Sequence, residues 1–343
     1  MSSNVLRSEK RGNCPLVTVN ILSYNRCKEL EITLTKITQE LDYPADQLEI
    51  IVVDNCSVDG TRDMIREKFP QVRLISTTKN IGIAGWNKGF EAGSGEYFLV
   101  LDDDCYIEGQ SLKRAVQAAA QYGADLVSFH VANPNEPGFY FSENFRTGFL
   151  TFWGCSALIS QRAISMLCGF DKYIFVYNHE AEFTCRLLDR GFKHLFLPSV
   201  TALHMKPVSF KYTSRTFRLS MRNLSLQAAK LLQPKDAVIA IINLMLRVLR
   251  QAKKSFRSVS ILCAFPGIIE GVWTGLIHRR PVRPVVSCLY RQNYIEYVGS
   301  SALEDCQGFW SDRPDLYPKD TAVFYVPIER PSRVTQDEQR NNW

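Results

Sequence analysis

Three adjacent carboxylates, Asp102-Asp103-Asp104, end an apolar run, Tyr97-Phe98-Leu99-Val100-Leu101. The run combines aromatic and β-branched residues and reads as a strand buried on both faces. Like charges crowded at the end of a buried strand repel each other and are costly to desolvate. A divalent cation removes that penalty. In extended backbone Asp102 and Asp104 project to one side and Asp103 to the other. Two carboxylates on one side, at the carboxyl end of a strand, make a place for Mg²⁺ or Mn²⁺ carrying a diphosphate. The competing reading is a solvated acidic turn that caps a helix.

Chemistry at a strand end needs a sheet to hold it. Pro15–Ser23 reads as a first strand, with Tyr24-Asn25-Arg26 as the turn at its carboxyl end. Leu30, Leu34, Ile37 and Leu41 recur at helical spacing over Lys28–Leu41. Glu49–Val53 is a second buried strand ending in Asp54, and Asp59, Gly60 or Thr61 opens the next helix. Val72–Ser76 is a third strand, Asn80–Gly95 a glycine-punctuated helical stretch, and Tyr97–Leu101 the fourth strand. This alternation predicts an α/β fold with a parallel sheet covered on both faces. Ligands then lie beyond the carboxyl ends of the strands, where Asn25, Arg26, Asp54 and Asp102–Asp104 fall.

Farther along, Ser111–Tyr122 reads as a helix, Asp125–His130 as a strand and Asn133–Gly138 as a loop. Phe139–Phe152 is rich in aromatics, and Gly154–Ile159 reads as a strand. A loop through Tyr173, Phe175 and Tyr177 leads to Glu180 and Glu182; the helix Glu182–Arg190 stops at Gly191. His194–Pro198 is a strand, with His204 shortly after it. From Ser214 the pattern changes to long helices over Arg215–Leu232, Lys235–Ser258 and Ile261–Ile277. The segment from about Val298 to Trp343 holds one strand-like run, Ala322–Val326, and a polar end expected to be disordered.

The net charge of +6 hides an asymmetry. Sixteen basic residues between Met205 and Ile295 face only Asp236 and Glu270, so that segment is +14 and the remainder −8. Such a contrast calls for an acidic partner. Met1–Gly12 is polar, from which no secretory leader is expected. The apolar run Ala237–Leu249 is interrupted by Asn243 and Arg247 and is too short to span a bilayer. Ten cysteines without a metal-finger spacing fit free thiols in a reducing cytoplasm.

These pieces together resemble glycosyltransferase family 2, with its GT-A fold. The segments that carry the resemblance run in the family's order. They are Val19–Arg26, Val52–Thr61, Asn80–Gly89, Gly95–Asp104, Glu180-Ala181-Glu182 with Arg186, and His204. Bacterial rhamnosyl- and galactofuranosyltransferases are similar in also carrying an Arg-Asn such as Arg222-Asn223 in the helices that follow. The resemblance implies a mostly parallel mixed sheet and an inverting, metal-dependent enzyme. It would move a sugar from a nucleoside-diphosphate donor of the UDP or dTDP type. The acceptor would be a hydroxyl of a saccharide or lipid-linked saccharide, in cell-surface polysaccharide synthesis. A flexible start (1–14) then precedes a catalytic unit (15–209), with a nucleotide-sugar half to about residue 110 and an acceptor half beyond it. A basic helical region (210–295) and a tail (296–343) follow.

The resemblance also implies roles. Asp54 resembles the residue that accepts from the N3–H of a uracil or thymine, a donor that suits a carboxylate; a turn Asp is the alternative. Tyr24, Asn25, Arg26, Asn80, Gly82, Asn87 and Asp103 fall on the nucleotide-sugar side. Asp104 and His204 resemble direct metal ligands, and Asp102 reaches the metal or the ribose. Glu180 and Glu182 are the candidates for the base that takes the acceptor's proton, Glu180 matching the family position although it is commonly Asp there. Trp153 and Gly154 sit where the family places its acceptor strand, and Phe152, Tyr173 and Tyr177 join Trp153 as a possible sugar-stacking platform.

The basic helices fit the anionic inner face of the cell membrane, a homo-oligomer interface, or nucleic acid. No nucleic-acid motif accompanies them, so nucleic acid ranks last. A sugar-1-phosphate nucleotidyltransferase would need a glycine-rich loop after the first strand, which Tyr24-Asn25-Arg26-Cys27 lacks. A non-catalytic nucleotide-sugar-binding scaffold would not need the acids that are present.

Overall fold

The computed structural model of the chain describes residues 14–135, 151–205, 213–254, 262, 264–295 and 324–325. Among these, the first half follows the sequence reading closely. Strands β1 (Val17–Ser23), β2 (Leu48–Asp54), β3 (Arg73–Ser76) and β4 (Tyr97–Asp102) are joined by helices α1 (Cys27–Gln39), α2 (Thr61–Lys68) and α3 (Gly85–Ala92). β1 lies between β2 and β4, and β3 pairs on the far side of β2, all in parallel. Alternation sets the two faces. Val17, Val19 and Ile21 of β1, with Leu99 and Leu101 of β4, bury against Leu30, Leu34 and Ile37 of α1. Phe98 and Val100 point to the opposite core, with Trp86 of α3.

Beyond β4 come β5 (Cys105–Tyr106), α4 (Ser111–Tyr122), β6 (Leu126–Ala132), β7 (Ser156–Ser160), α5 (Gln161–Leu167), α6 (His179–Asp189) and β8 (His194–His204). The sheet order is β3-β2-β1-β4-β7-β6-β8-β5. β7 runs antiparallel to both neighbours, β4 and β6, which makes the sheet mixed, as the α/β GT-A resemblance implied. The expected strand His194–Pro198 is too short. β8 continues to His204, and its pairing with β6 skips from Leu197 to Thr201. Pro198 cannot donate to the ladder, so a bulge absorbs residues 198–200 and the strand resumes. The expected loop helix likewise starts earlier, at His179, so Glu180 and Glu182 share its first turn.

The C-terminal helices are α7 (Ser214–Leu231), α8 (Pro234–Lys254), α9 (Ala264–Ile277) and α10 (Pro284–Tyr290). They extend the core that holds Trp86 and Phe98, through Leu224, Leu231, Leu244, Val248 and Ile268. α9 lies tightly along α7. A Cβ at Gly267, Gly271 or Gly275 would meet the backbone of Arg218, Arg222 or Leu226 at 3.0 Å or less. Phe324–Tyr325, within the expected strand-like run, forms a short strand β9 beside β8. The aromatic stretch up to residue 150, Lys206, Lys211, Arg257 and the rest of the tail lie outside the described residues.

Candidate active site

β4 delivers Asp102 to the edge of the core, and the tight turn after it places Asp103 and Asp104. β5 then pairs antiparallel with the end of β8, setting Cys105 opposite His204. That register brings together groups a hundred residues apart. His204 Nε2 lies 3.1 Å from Asp104 Oδ1 and 3.9 Å from Asp102 Oδ2. One ligand atom from each of Asp102, Asp104 and His204 lies within 4.8 Å of the others. Asp103, in that turn, accepts the Tyr24 N–H at 3.1 Å.

The electrostatics are those of a site short of positive charge. Burial pushes the Asp103 carboxyl up to about 7; Arg26 opposes the shift, and Asp102 and Asp104 add to it. Burial disfavours the His204 imidazolium, yet Cys155, Asp104 and Asp102 outweigh it and push the pKa up to about 9. The Arg26 guanidinium ion-pairs with Asp104 and stands 3.7 Å from Asp103. Two hard carboxylates and an imidazole converging on one point, with a basic side chain drawn onto them, fit a divalent cation of the Mg²⁺ or Mn²⁺ kind.

The nucleotide-side candidates form one knitted rim. Asn25 sits at φ 52°, a left-handed conformation that Asn tolerates. Its N–H donates to Ser57 Oγ and its Oδ1 accepts from the Val58 N–H, both at 2.9 Å, tying the turn after β1 to the turn after β2. Asp54 is fully buried; it accepts from the Ser57 N–H at 3.0 Å and from Arg62 Nε. Asn55, which sequence reasoning passed over, donates to Asn80 Oδ1 and the Gly82 carbonyl, each at 3.0 Å. Gly82 has φ +63°, and a Cβ there would sit 2.0 Å from the Phe175 carbonyl oxygen. Asn87 is committed elsewhere. Its amide bonds both the N–H and the carbonyl of Phe170, pinning α3 to the loop before α6.

The acceptor-side candidates begin at Gly154. Its N–H donates to Glu180 Oε1 at 3.3 Å, and a Cβ there would crowd His179 and Glu180 at 2.7–2.8 Å. The next residue, Cys155, accepts the Asp102 N–H at 3.1 Å. Two consecutive residues therefore join Glu180 to the Asp102–Asp104–His204 cluster. Glu180 is part-exposed, with His179 Nδ1 3.3 Å from its Oε2. His179 itself is buried among Trp86, Phe152 and Phe170.

Glu182 has a different environment. It is wholly buried, forked onto Arg186 at 2.7 and 2.8 Å, and 3.3 Å from Lys230 Nζ. Lys230 also pairs with Asp171 at 2.5 Å. A carboxylate enclosed by two cations has no open approach for an acceptor hydroxyl. The geometry therefore separates the two base candidates.

Of the four aromatics named for sugar stacking, Phe152 is core, Tyr173 stacks on His278 with ring centres 3.9 Å apart, and Trp153 is half-buried against the core. The loop before α6 is held from α7, by contacts with no sequence signal beyond Arg222-Asn223. Asn223 donates to the Val176 and Tyr177 carbonyls at 2.7 and 3.0 Å, Arg222 to the Tyr173 carbonyl at 2.6 Å, and Gln227 to the Asn178 carbonyl at 2.8 Å. These bonds fix Tyr177 and Asn178, both at positive φ, immediately before Glu180. Beside this loop lies a cavity of about 480 Å³ lined by Lys172, Arg215, Arg218 and Arg222.

Comparison with known proteins agrees with this geometry. The family model for glycosyl transferase family 2 matches residues 18–176. Glycosyltransferase AglE of Haloferax volcanii is 33% identical over 34% of this chain and 40% of its own length. The undecaprenyl-phosphate 4-deoxy-4-formamido-L-arabinose transferase of Aeromonas hydrophila is 30% identical over 33% of this chain and 36% of its own. The chain thus spans well under half the length of these curated relatives. Among solved structures, the mannosyltransferase PcManGT of Pyrobaculum calidifontis, in complex with GDP-Man and Mn²⁺, superimposes with a TM-score of 0.52 at 20% identity, over 87% of this chain and 80% of that one. That likeness is one of fold, and it is the GT-A fold.

Proposed function

From the match of residues 18–176 to glycosyl transferase family 2 we propose that the chain is a member of that family and transfers a sugar from a nucleoside-diphosphate donor to an acceptor hydroxyl with inversion. The observation that carries the reading is the join between two sets of acids. Glu180 meets the Gly154 N–H, and the adjacent Cys155 carbonyl meets the N–H of Asp102.

In this reading Asp102, Asp104 and His204 would hold Mg²⁺ or Mn²⁺. When bound, the ion neutralises the diphosphate and stabilises it as a leaving group. The donor, of the UDP or dTDP type, lies over the rim made by Tyr24, Asn25, Arg26, Asp54, Asn80, Gly82 and Asp103. Arg26 is positioned to turn from Asp104 to a phosphate, since a guanidinium pairs equally with either anion. Glu180 takes the proton from the acceptor hydroxyl as its oxygen attacks the anomeric carbon, opposite the departing diphosphate. The Gly154 N–H orients that carboxylate. Glu182 and Asn87 act at one remove, by fixing α6 and the loop before it. Residues 15–209 then form the catalytic unit, with its donor half before about residue 110.

The acceptor is a saccharide or lipid-linked saccharide of cell-surface polysaccharide synthesis, met at the inner face of the cell membrane. The relative that acts on undecaprenyl phosphate supports this class, as does the basic cavity beside the loop that carries Glu180.

A thermal-shift panel of UDP, dTDP and GDP, each with and without Mn²⁺, tests the donor and metal assignments together. A bound nucleotide raises the melting temperature through its preference for the folded state. One nucleotide should do so, and only with the metal present. If none does, the donor assignment is wrong. Metal-dependent release of nucleoside diphosphate from the matching donor then tests transfer itself.

A further inference from the structure

α9 is apolar on two opposite sides, with Glu270 and Thr274 between them. Its packed side is the line Gly267, Gly271 and Gly275, set close against the backbone of α7. Its opposite side carries Ile269, Trp273, Leu276 and Ile277, which are 66%, 68%, 53% and 59% exposed. At 100° per residue these four lie about half a turn from the glycines, so the exposure is a property of a whole face. α8 repeats the arrangement. Ala237, Ala240, Leu244 and Val248 are buried, while Val238, Ile242, Met245 and Leu249 form an exposed line at helical spacing. A helix with an inward and an outward apolar face is unusual in a monomer. Large exposed apolar faces mark a surface that meets another phase or another protein.

The charge around these faces says which. Lys235 and Arg250 flank the outward line of α8, and Arg280 follows α9 closely; all three are exposed. The acids of these helices are already engaged. Asp236 pairs with Arg291 at 2.8 Å and Glu270 with Arg222 at 2.8 Å. A second copy of this chain docking face to face would bring two such basic rims together. An anionic lipid surface meets both the apolar faces and the positive rim. No helix among the described residues is long and apolar enough to cross a membrane, so the contact is one of shallow burial.

We propose that the outward faces of α8 and α9 seat the protein on an anionic bilayer, with Trp273 and its neighbours entering the headgroup boundary. This gives physical form to the membrane location in the functional reading above, but it does not depend on the transfer chemistry. Leu244 and Val248 face the core and are not part of this surface.

Co-sedimentation of the full chain with vesicles is the test. Vesicles of phosphatidylcholine mixed with phosphatidylglycerol should bind it at low salt, pure phosphatidylcholine much less, and high salt should weaken binding. The double substitution Trp273→Ser/Ile277→Ser removes exposed side chains only. It should weaken vesicle binding by about tenfold or more, from the apolar burial that is lost. Its metal-dependent nucleotide thermal shift should match the parent, which separates failure of this proposal from failure of the enzymatic reading. Undiminished vesicle binding by the double variant would overturn the assignment to this face. So would a parent that ignores anionic vesicles, and a parent that sediments as a dimer which the double variant converts to monomer would assign the face to a second copy instead.

Discussion

Two clusters of charge among the described residues bear comparison. At the sheet edge Asp102, Asp103 and Asp104 face His204 and Arg26. Between α6 and α7, Asp171 and Glu182 face Arg186 and Lys230. The second cluster is closed. Each carboxylate has its own cation, the bonds are short and the cluster is largely buried. The first is left open, with three carboxylates against one guanidinium and one imidazole. Charge balanced inside the fold holds structure, while charge left unbalanced at an opening is available to a ligand.

Breaking the closed cluster should give the largest effect. Glu182→Ala strands Arg186 and leaves Lys230 to Asp171 alone, and losing one partner of a buried pair costs about 3–5 kcal/mol. Denaturant melts should show that loss. A variant as stable as the parent would mean the cluster is not holding α6 against α7.

Asp104→Asn should do the reverse. It removes charge from a crowded site, so folding should hold, while metal-dependent turnover falls by about 10²–10³-fold, as when a key electrostatic group is lost. Mn²⁺-dependent nucleotide binding equal to the parent's would remove Asp104 from the metal site.

Glu180→Gln sharpens the contrast within one helical turn. Donor binding should stay near normal, and turnover should drop by about 10²-fold or more with the loss of a general base. If a folded Glu182→Gln showed that phenotype and Glu180→Gln did not, the two glutamates would exchange roles.

The smallest effect is in pH. His204 has its folded pKa raised from 6.5 to about 9, so its contribution to stability is complete below about pH 6.5 and is lost as pH rises through about 9. Asp103, raised from 3.8 to about 7, has the same sign at lower pH. The metal-free chain should therefore melt at lower temperature as pH climbs from neutral to 9. Mn²⁺ needs the deprotonated imidazole and should counter that fall. A metal-free melting temperature independent of pH in this range would contradict the environment described for His204.

Much of the sheet from β1 to β4 was legible in the sequence because it is built from local patterns. Short apolar runs ending in Asp54 and Asp102 announce strands whose carboxyl ends carry charge, and strand–helix alternation fixes them side by side. The sheet from β5 to β8 was harder to read. β7 enters antiparallel between β4 and β6, and β8 passes through a bulge before reaching His204. Neither leaves a periodic trace. The basic composition of the last helices was plain, but their outward apolar faces were not. A helix apolar on two opposite sides gives no sign in its sequence of which side is covered.

The sequence by itself determined the fold class, the four parallel strands and the acids at their ends, since residue type and spacing decide what is buried and where a strand stops. Tertiary structure decided what those acids can do. His204 reaches Asp104 across a hundred residues through β5 and β8. Lys230 closes Glu182 off from 48 residues away, while Glu180, two positions earlier, is left part-exposed beside Gly154. A carboxylate's role follows from the charges within a few ångströms of it, and only the folded chain sets those distances.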